Sequence, residues 1–146
     1  MSYCKIAALY PQAPRGEKRI IFALDPLGEE VEQQQFMLQL IPARVMKVSK
    51  TDAGNVLVLQ GKIEQHTVEG GDVPYFHVEL AREYASTRRD VADDDDGVKV
   101  RQLVPMTQPP MFPYSSVYPV VVYLPEDVEL HYSVWYGEEP MQAGSE

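Results

Sequence analysis

Twelve prolines and nine glycines break a chain of 146 residues into short pieces, and this punctuation limits the fold more than any other feature. Proline removes a backbone donor and glycine weakens regular structure, so long helices find no room between them. The pieces are rich in Val, Ile, Tyr and Phe, which suit a pleated, half-buried surface. The clearest alternation is Val128–Tyr136, where Val128, Leu130, Tyr132, Val134 and Tyr136 take one face. Glu129, His131, Ser133 and Trp135 take the other. Further strands are expected at 19–24, 36–41, 44–48, 56–60, 75–80, 98–104 and 120–124. No segment has strong helical periodicity, and Glu29–Gln35 has room for a turn or two of helix. The expected fold class is all-β: a single antiparallel β-sandwich or barrel domain over residues 1–146, with long surface loops.

Three stretches read as loops. Residues 65–74 contain Gly70, Gly71 and Pro74; residues 82–97 lack an apolar run and end in Asp93-Asp94-Asp95-Asp96 before Gly97. The stretch from Pro105 to Pro119 holds five prolines, which bar it from the middle of a sheet. Connections this long in a compact domain are functional or disordered. The polar tail after Trp135 is expected to fray.

Composition removes several classes of function. With 45% hydrophobic and 24% charged residues, the chain reads as globular rather than disordered. A net charge of −9 repels phosphate backbones and anionic headgroups, so neither nucleic acid nor a membrane is an expected partner. One cysteine, Cys4, allows no intrachain disulfide, and Met1-Ser2-Tyr3-Cys4-Lys5-Ile6 does not read as a secretory signal. A cytoplasmic location is the expectation.

Catalysis needs a nucleophile with its base, a carboxylate pair or a metal set. The histidines His66, His77 and His131 fall in no zinc-ligand spacing, and there is no phosphate-binding glycine loop and no nucleophile elbow. The aspartate run lacks the alternating ligands and distal glutamate of a calcium loop and reads as solvated charge. No catalytic residue, metal or cofactor is expected.

Three blocks in consistent order carry a resemblance. Lys5-Ile6-Ala7, Tyr10-Pro11-Gln12-Ala13, Gly16 and Lys18-Arg19 form the first; Gly61-Lys62-Ile63-Glu64 with Thr67-Val68-Glu69-Gly70 form the second. The third runs from Pro119 through Val120-Val121-Val122-Tyr123-Leu124-Pro125-Glu126-Asp127-Val128 to Tyr132-Ser133-Val134-Trp135. Together they resemble ecotin, the inhibitor of trypsin-fold serine peptidases, and look closest to its intracellular protozoan members. The resemblance implies a reversible, substrate-like inhibitor and no enzyme. Ser86-Thr87-Arg88-Arg89-Asp90 falls at the family's reactive site, so that Arg88 would be the primary specificity residue and Arg89 would follow the scissile bond. Such a loop binds extended, with main-chain pairing for affinity and alternate side chains for specificity. Secondary peptidase contacts would come from Gly71, Asp72 and Val73 and from Met111, Phe112 and Tyr114, or else these last tuck into the core.

The chain departs from the family in places. The bacterial members hold the reactive loop with a disulfide, and the matching positions here lie near Lys50 and Val91. Ecotins dimerise by exchanging their C-terminal strand, so a homodimer is implied, although the tail here carries Gly137, Pro140 and Gly144. The competing reading is a non-inhibitory β-sandwich that uses the surface between Pro105 and Pro119 to hold another partner.

Overall fold

A computed structural model describes residues 10–53, 56–69, 71–86 and 98–146, and of Ser86 the backbone only. Among the described residues the elements run β1 (Glu17–Phe22), α1 (Glu29–Gln35), β2 (Phe36–Ser49), β3 (Leu57–Val58), β4 (Gly61–Thr67) and β5 (Pro74–Leu80). They continue with β6 (Ala85–Ser86), β7 (Lys99–Pro105), β8 (Met111–Pro113), β9 (Val120–Pro125) and β10 (Val128–Tyr136). One sheet has the order β1-β9-β5-β4, the other β10-β2-β7 with β8 also on β2, and β3 pairs β6 apart from both. The fold is all-β. Its pairings are antiparallel except where β5 meets β9, at Phe76↔Val122 and His77↔Tyr123.

Strand β9 explains how the layers stack. Its run of Val120, Val121, Val122, Tyr123 and Leu124 is buried on both faces, as a continuous apolar strand must be. Val120, Val122 and Leu124 meet Leu38, Leu40, Val48, Val78, Val104 and Val128 between the sheets. Each such side chain stabilises the fold by about 1.5–3 kcal/mol. Val121 and Tyr123 face outward into a second, smaller cluster with Tyr10, over which Ala13, Val68, Val73 and Tyr75 pack. The approach to β1 that covers this cluster is fixed by a turn in which the Glu17 N–H donates to the Pro14 carbonyl at 3.0 Å. Its third residue, Gly16, has φ +89°, a conformation that glycine adopts without strain.

Strand β2 runs for 14 residues straight through Pro42, where the sequence pattern had separated 36–41 from 44–48. Its partner on one side, β10, pairs without a break from Val128↔Arg44 to Tyr136↔Phe36. On the other side β7 ends at Pro105↔Ala43 and β8 begins at Met111↔Gln39, leaving 106–110 bulged opposite Pro42. The Pro42 carbonyl points to that side, accepting from the Met106 N–H at 2.8 Å. In an extended strand a residue's nitrogen points the same way as its carbonyl, so the missing donor faces the bulge. The same bulge ties to the strand connection before β4: Thr107 and Leu59 bond reciprocally, Thr107 N–H to the Leu59 carbonyl at 2.9 Å and Leu59 N–H to Thr107 Oγ1 at 2.8 Å.

Two strands run into stretches expected to be loops: β4 reaches three residues into 65–74, and β8 lies within 105–119. Strand β4 takes up residues 61–67, and its exposed Lys62, Glu64 and His66 are those of a charged sheet edge rather than an alternating strand. Strand β8 places Pro113 at a sheet edge, where its lack of a donor costs nothing. Strand β1 begins two residues earlier than 19–24 implies, and within 56–60 the strand β3 takes Leu57–Val58. At the corner where β9 leads into β10, the buried Arg44 guanidinium pairs with Asp127 and reaches the Leu80 carbonyl at 3.3 Å, so one side chain links both sheets.

Helix α1 is held by its own Glu32, a buried carboxylate. It accepts from the Leu27 N–H at 2.9 Å, the Ser116 hydroxyl at 2.7 Å and the Ser116 N–H at 2.9 Å. The Leu27 bond, then those of the Ser116 side chain and backbone, hold its pKa below the ordinary 4.5. A depressed carboxylate contributes stability that is fully present above its unfolded pKa and is lost as pH falls through the folded one. Glu32→Gln is therefore expected to lower the melting temperature at neutral pH and to flatten its decline below about pH 4.5. Thermal melts from pH 7 to pH 3 check this; a wild-type acid slope in the variant removes Glu32 from the role.

Candidate functional site

Thr87, Arg88, Arg89 and Asp90 lie outside the described residues, while the two stems that carry them lie within. The upstream stem is β6, paired to β3 through Ala85↔Val58 and Ser86↔Leu57. The downstream stem enters β7, whose Lys99 pairs Ser49 at the end of β2. Between Ser49 and Ala53 the chain makes a tight turn, with Asp52 N–H and Ala53 N–H donating to the Ser49 carbonyl at 2.9 and 3.0 Å. The Lys50 N–H donates to the Val98 carbonyl at 3.2 Å. Tyr84, just before β6, donates its hydroxyl to Asp52 Oδ2 at 3.0 Å and accepts from the Ser49 N–H at 3.3 Å. The sequence offered no sign of this polar cluster, since Tyr84 and Asp52 are 32 residues apart.

The secondary contact candidates gather at the opposite end of β5. Val68 to Val73 form a turn closed by Val68 N–H to the Val73 carbonyl at 2.9 Å and Gly71 N–H to the Val68 carbonyl at 3.0 Å. Gly71 and Asp72 are exposed at its tip, whereas Val73 packs inward on the outer cluster. A cleft of about 70 Å³ joins the base of this hairpin, at Gln65 and Pro74, to Pro113, Ser115 and Tyr118. In that second segment Met111 is 41% exposed. Phe112 packs edge-on against Phe76 with ring centroids 4.6 Å apart. Tyr114 is only 4% exposed, its hydroxyl donates to the Asp25 carbonyl at 2.6 Å, and burial pushes its pKa up. Phe112 and Tyr114 thus serve the core, and Met111 is the side chain of the three that stands open to a partner. Tyr118 lines the same cleft and its sequence neighbour Val117 is 68% exposed; neither was singled out from sequence. Two apolar residues among serines and prolines were the available signal.

His66 and His77 line one surface pocket with Glu17, Tyr75 and Tyr123, and His131 lies on β10. Each is within reach of a glutamate, His66 of Glu64 at 3.4 Å, His77 of Glu17 at 3.0 Å and His131 of Glu129 at 3.5 Å. Among the described residues no three His, Cys, Asp or Glu side chains converge as a metal set. No helix among them is long and apolar enough to cross a membrane.

Strand β10 is an edge strand. The face that carries Val128 and Leu130 into the core continues through Tyr132, Val134 and Tyr136, which are exposed. Tyr132 stacks on Phe22 with centroids 4.5 Å apart and Tyr136 leans on Phe36 at 5.2 Å, yet Tyr136 remains 61% exposed. The tail beyond it starts with Gly137 N–H donating to the Gln35 carbonyl at 2.7 Å.

Comparison with known proteins places this geometry. The model of the Ecotin family matches residues 6–137. Ecotin-like protein 1 of Leishmania major is 60% identical over 146 residues, the whole of both chains. Ecotin-like protein 1 of Leishmania braziliensis is 54% identical over the same full lengths. Ecotin-like protein 4 of Trypanosoma brucei brucei is 34% identical over 144 residues, covering 98% of this chain and 82% of the other.

Proposed function

The chain belongs to the ecotin family of serine-peptidase inhibitors, and from that premise we propose that it inhibits trypsin-fold peptidases as a bound, slowly released substrate, with Arg88 in the specificity pocket. The observation that carries this reading is the framing of the segment that contains Arg88. It leaves the sandwich from the β3–β6 ladder and rejoins it at the Ser49–Lys99 pair, so both of its ends rest on paired strands. Fixed ends reduce the conformational freedom lost on docking, and more of the contact energy survives as affinity. They also keep the new amine beside its acyl partner if the bond is cut, at high effective concentration, so the bond can re-form. Ser86, Thr87, Arg89 and Asp90 flank the specificity residue, and Gly71, Asp72 and Met111 supply secondary contacts from the far end of β5. Inhibition of this kind requires no catalytic group of the inhibitor's own.

The proposal includes a homodimer. The uncovered apolar face of Tyr132, Val134 and Tyr136 on an edge strand is the kind of surface that a second copy covers. The single cysteine frees the fold from disulfide chemistry, which supports a place in the cytoplasm; fractionation of the source cell tests that part.

Titration of trypsin and of elastase with the purified protein, alongside its mass in solution, tests the proposal. Stoichiometric, slowly reversible loss of trypsin activity by a species of twice the chain mass is the expected result. The exposed Val117 and Tyr118 favour the second reading, a partner-binding sandwich without inhibition. Rapid cleavage after Arg88 or Arg89 with trypsin left fully active would establish it instead.

A further inference from the structure

A loop that acts as an inhibitor must stay in place after a peptidase has engaged it, and here neither Lys50 nor Val91 can supply the family's disulfide. The described residues offer something else at the same place. The turn at 49–53 touches both stems: Lys50 N–H bonds to the Val98 carbonyl at 3.2 Å on the downstream side, and Tyr84 holds it on the upstream side. Inside the turn, Ser49 Oγ lies 3.2 Å from Thr51 Oγ1 and accepts from the Asp52 N–H at 3.2 Å. The Asp52 carboxylate therefore meets the Tyr84 hydroxyl from a backbone that is itself pinned. A hydrogen bond to a charged acceptor is about twice as strong as a neutral one.

We infer that the turn at 49–53, clamped by Tyr84 and Asp52, is a non-covalent staple that replaces the disulfide, with these two as positioning residues for the peptidase-binding segment. The inference rests on the inhibitory reading above. Its warrant is the division of labour around β2. Val48 is the last side chain of that strand in an apolar cluster, and none of residues 49–53 belongs to either cluster. The hydrogen bonds of the turn thus join stem to stem rather than sheet to sheet. Tyr84 contributes its ring to the edge of the main core, so Tyr84→Phe keeps the packing and deletes only the clamp.

Tyr84→Phe and Asp52→Ala are expected to weaken trypsin inhibition by roughly tenfold each, with the double variant no worse than either. Both are expected to speed cleavage of the loop while the melting temperature stays near that of the wild type. Asp52→Asn keeps an acceptor oxygen and is expected to restore most of the inhibition. Hydrogen exchange of the Lys50 amide in the free protein decides the staple whatever trypsin does, and is expected to quicken roughly tenfold in Tyr84→Phe. Unchanged exchange overturns the staple. A wild type that is cleaved without inhibiting overturns the inhibitory reading alone, and faster exchange in Tyr84→Phe would still uphold the staple.

Discussion

Arg88→Met is expected to weaken inhibition of trypsin-like peptidases by roughly a hundredfold or more, and to leave chymotrypsin-like peptidases at least as well inhibited as before. A guanidinium that enters a deep pocket meets a carboxylate at its base through paired, charge-assisted hydrogen bonds. Taking away one partner of such a buried pair costs about 2–5 kcal/mol, because the other charge is left desolvated and alone. Methionine reverses the balance in an apolar pocket, where it fits without a charge to bury. Inhibition constants for one peptidase of each type, measured with both proteins, check the prediction. Equal constants before and after the substitution would take the pocket role away from Arg88. The contacts proposed for the far end of β5, Met111 among them, would not change with the substitution and would set the inhibition that remains.

The second large effect concerns stability. Gly61→Ala is expected to cost about 3 kcal/mol, because a methyl group at that position meets backbone. A Cβ on Gly61 would stand 2.6 Å from the Glu79 carbonyl oxygen and 2.9 Å from Leu80 Cδ1. The carbonyl belongs to the neighbouring strand β5, which pairs with β4 through Gly61↔Leu80 and cannot yield without opening the ladder. Leu80 is a core residue, and Arg44 bonds to its carbonyl, so a shift there loosens the link between the sheets. A fall of roughly 6–12 °C in melting temperature follows for a domain of this size. A variant that melts with the wild type would show that β4 moves aside freely.

Most of the framework could be read in advance where one physical signal acted alone. Strand β9 was visible because burial on both faces demands an unbroken apolar run, and β10 because one face alternates through Val128 and Leu130. Strand β4 was hidden because Ile63 is its one side chain on the core, and Lys62, Glu64 and His66 on its other face leave no apolar alternation to read. Pro42 misled in the opposite sense. Proline argues against a central strand, and only the bulge at 106–110, distant in sequence, makes it harmless there.

The site divides along the same line. Arg88 was named through likeness to a family and not from its own surroundings, which in sequence are two arginines before an acidic run. Phe112 and Tyr114 carry the same apolar signal as Met111, and which of them turns inward depends on Phe76 and the Asp25 carbonyl, contacts that no local pattern encodes. The clamp of Tyr84 on Asp52 was out of reach for the same reason. Hydrogen bonds between distant loops leave no periodicity behind.

Strand β2 has one more consequence. Its 14 residues span roughly 45 Å when extended. The start of the strand lies beside Tyr136 and the open face of β10, and its far end carries the turn that grips both stems of the Arg88 segment. No hinge intervenes. In the proposed dimer, the distance between peptidases held at the two Arg88 segments would then be set as by a ruler, and lengthening a surface loop would not alter it.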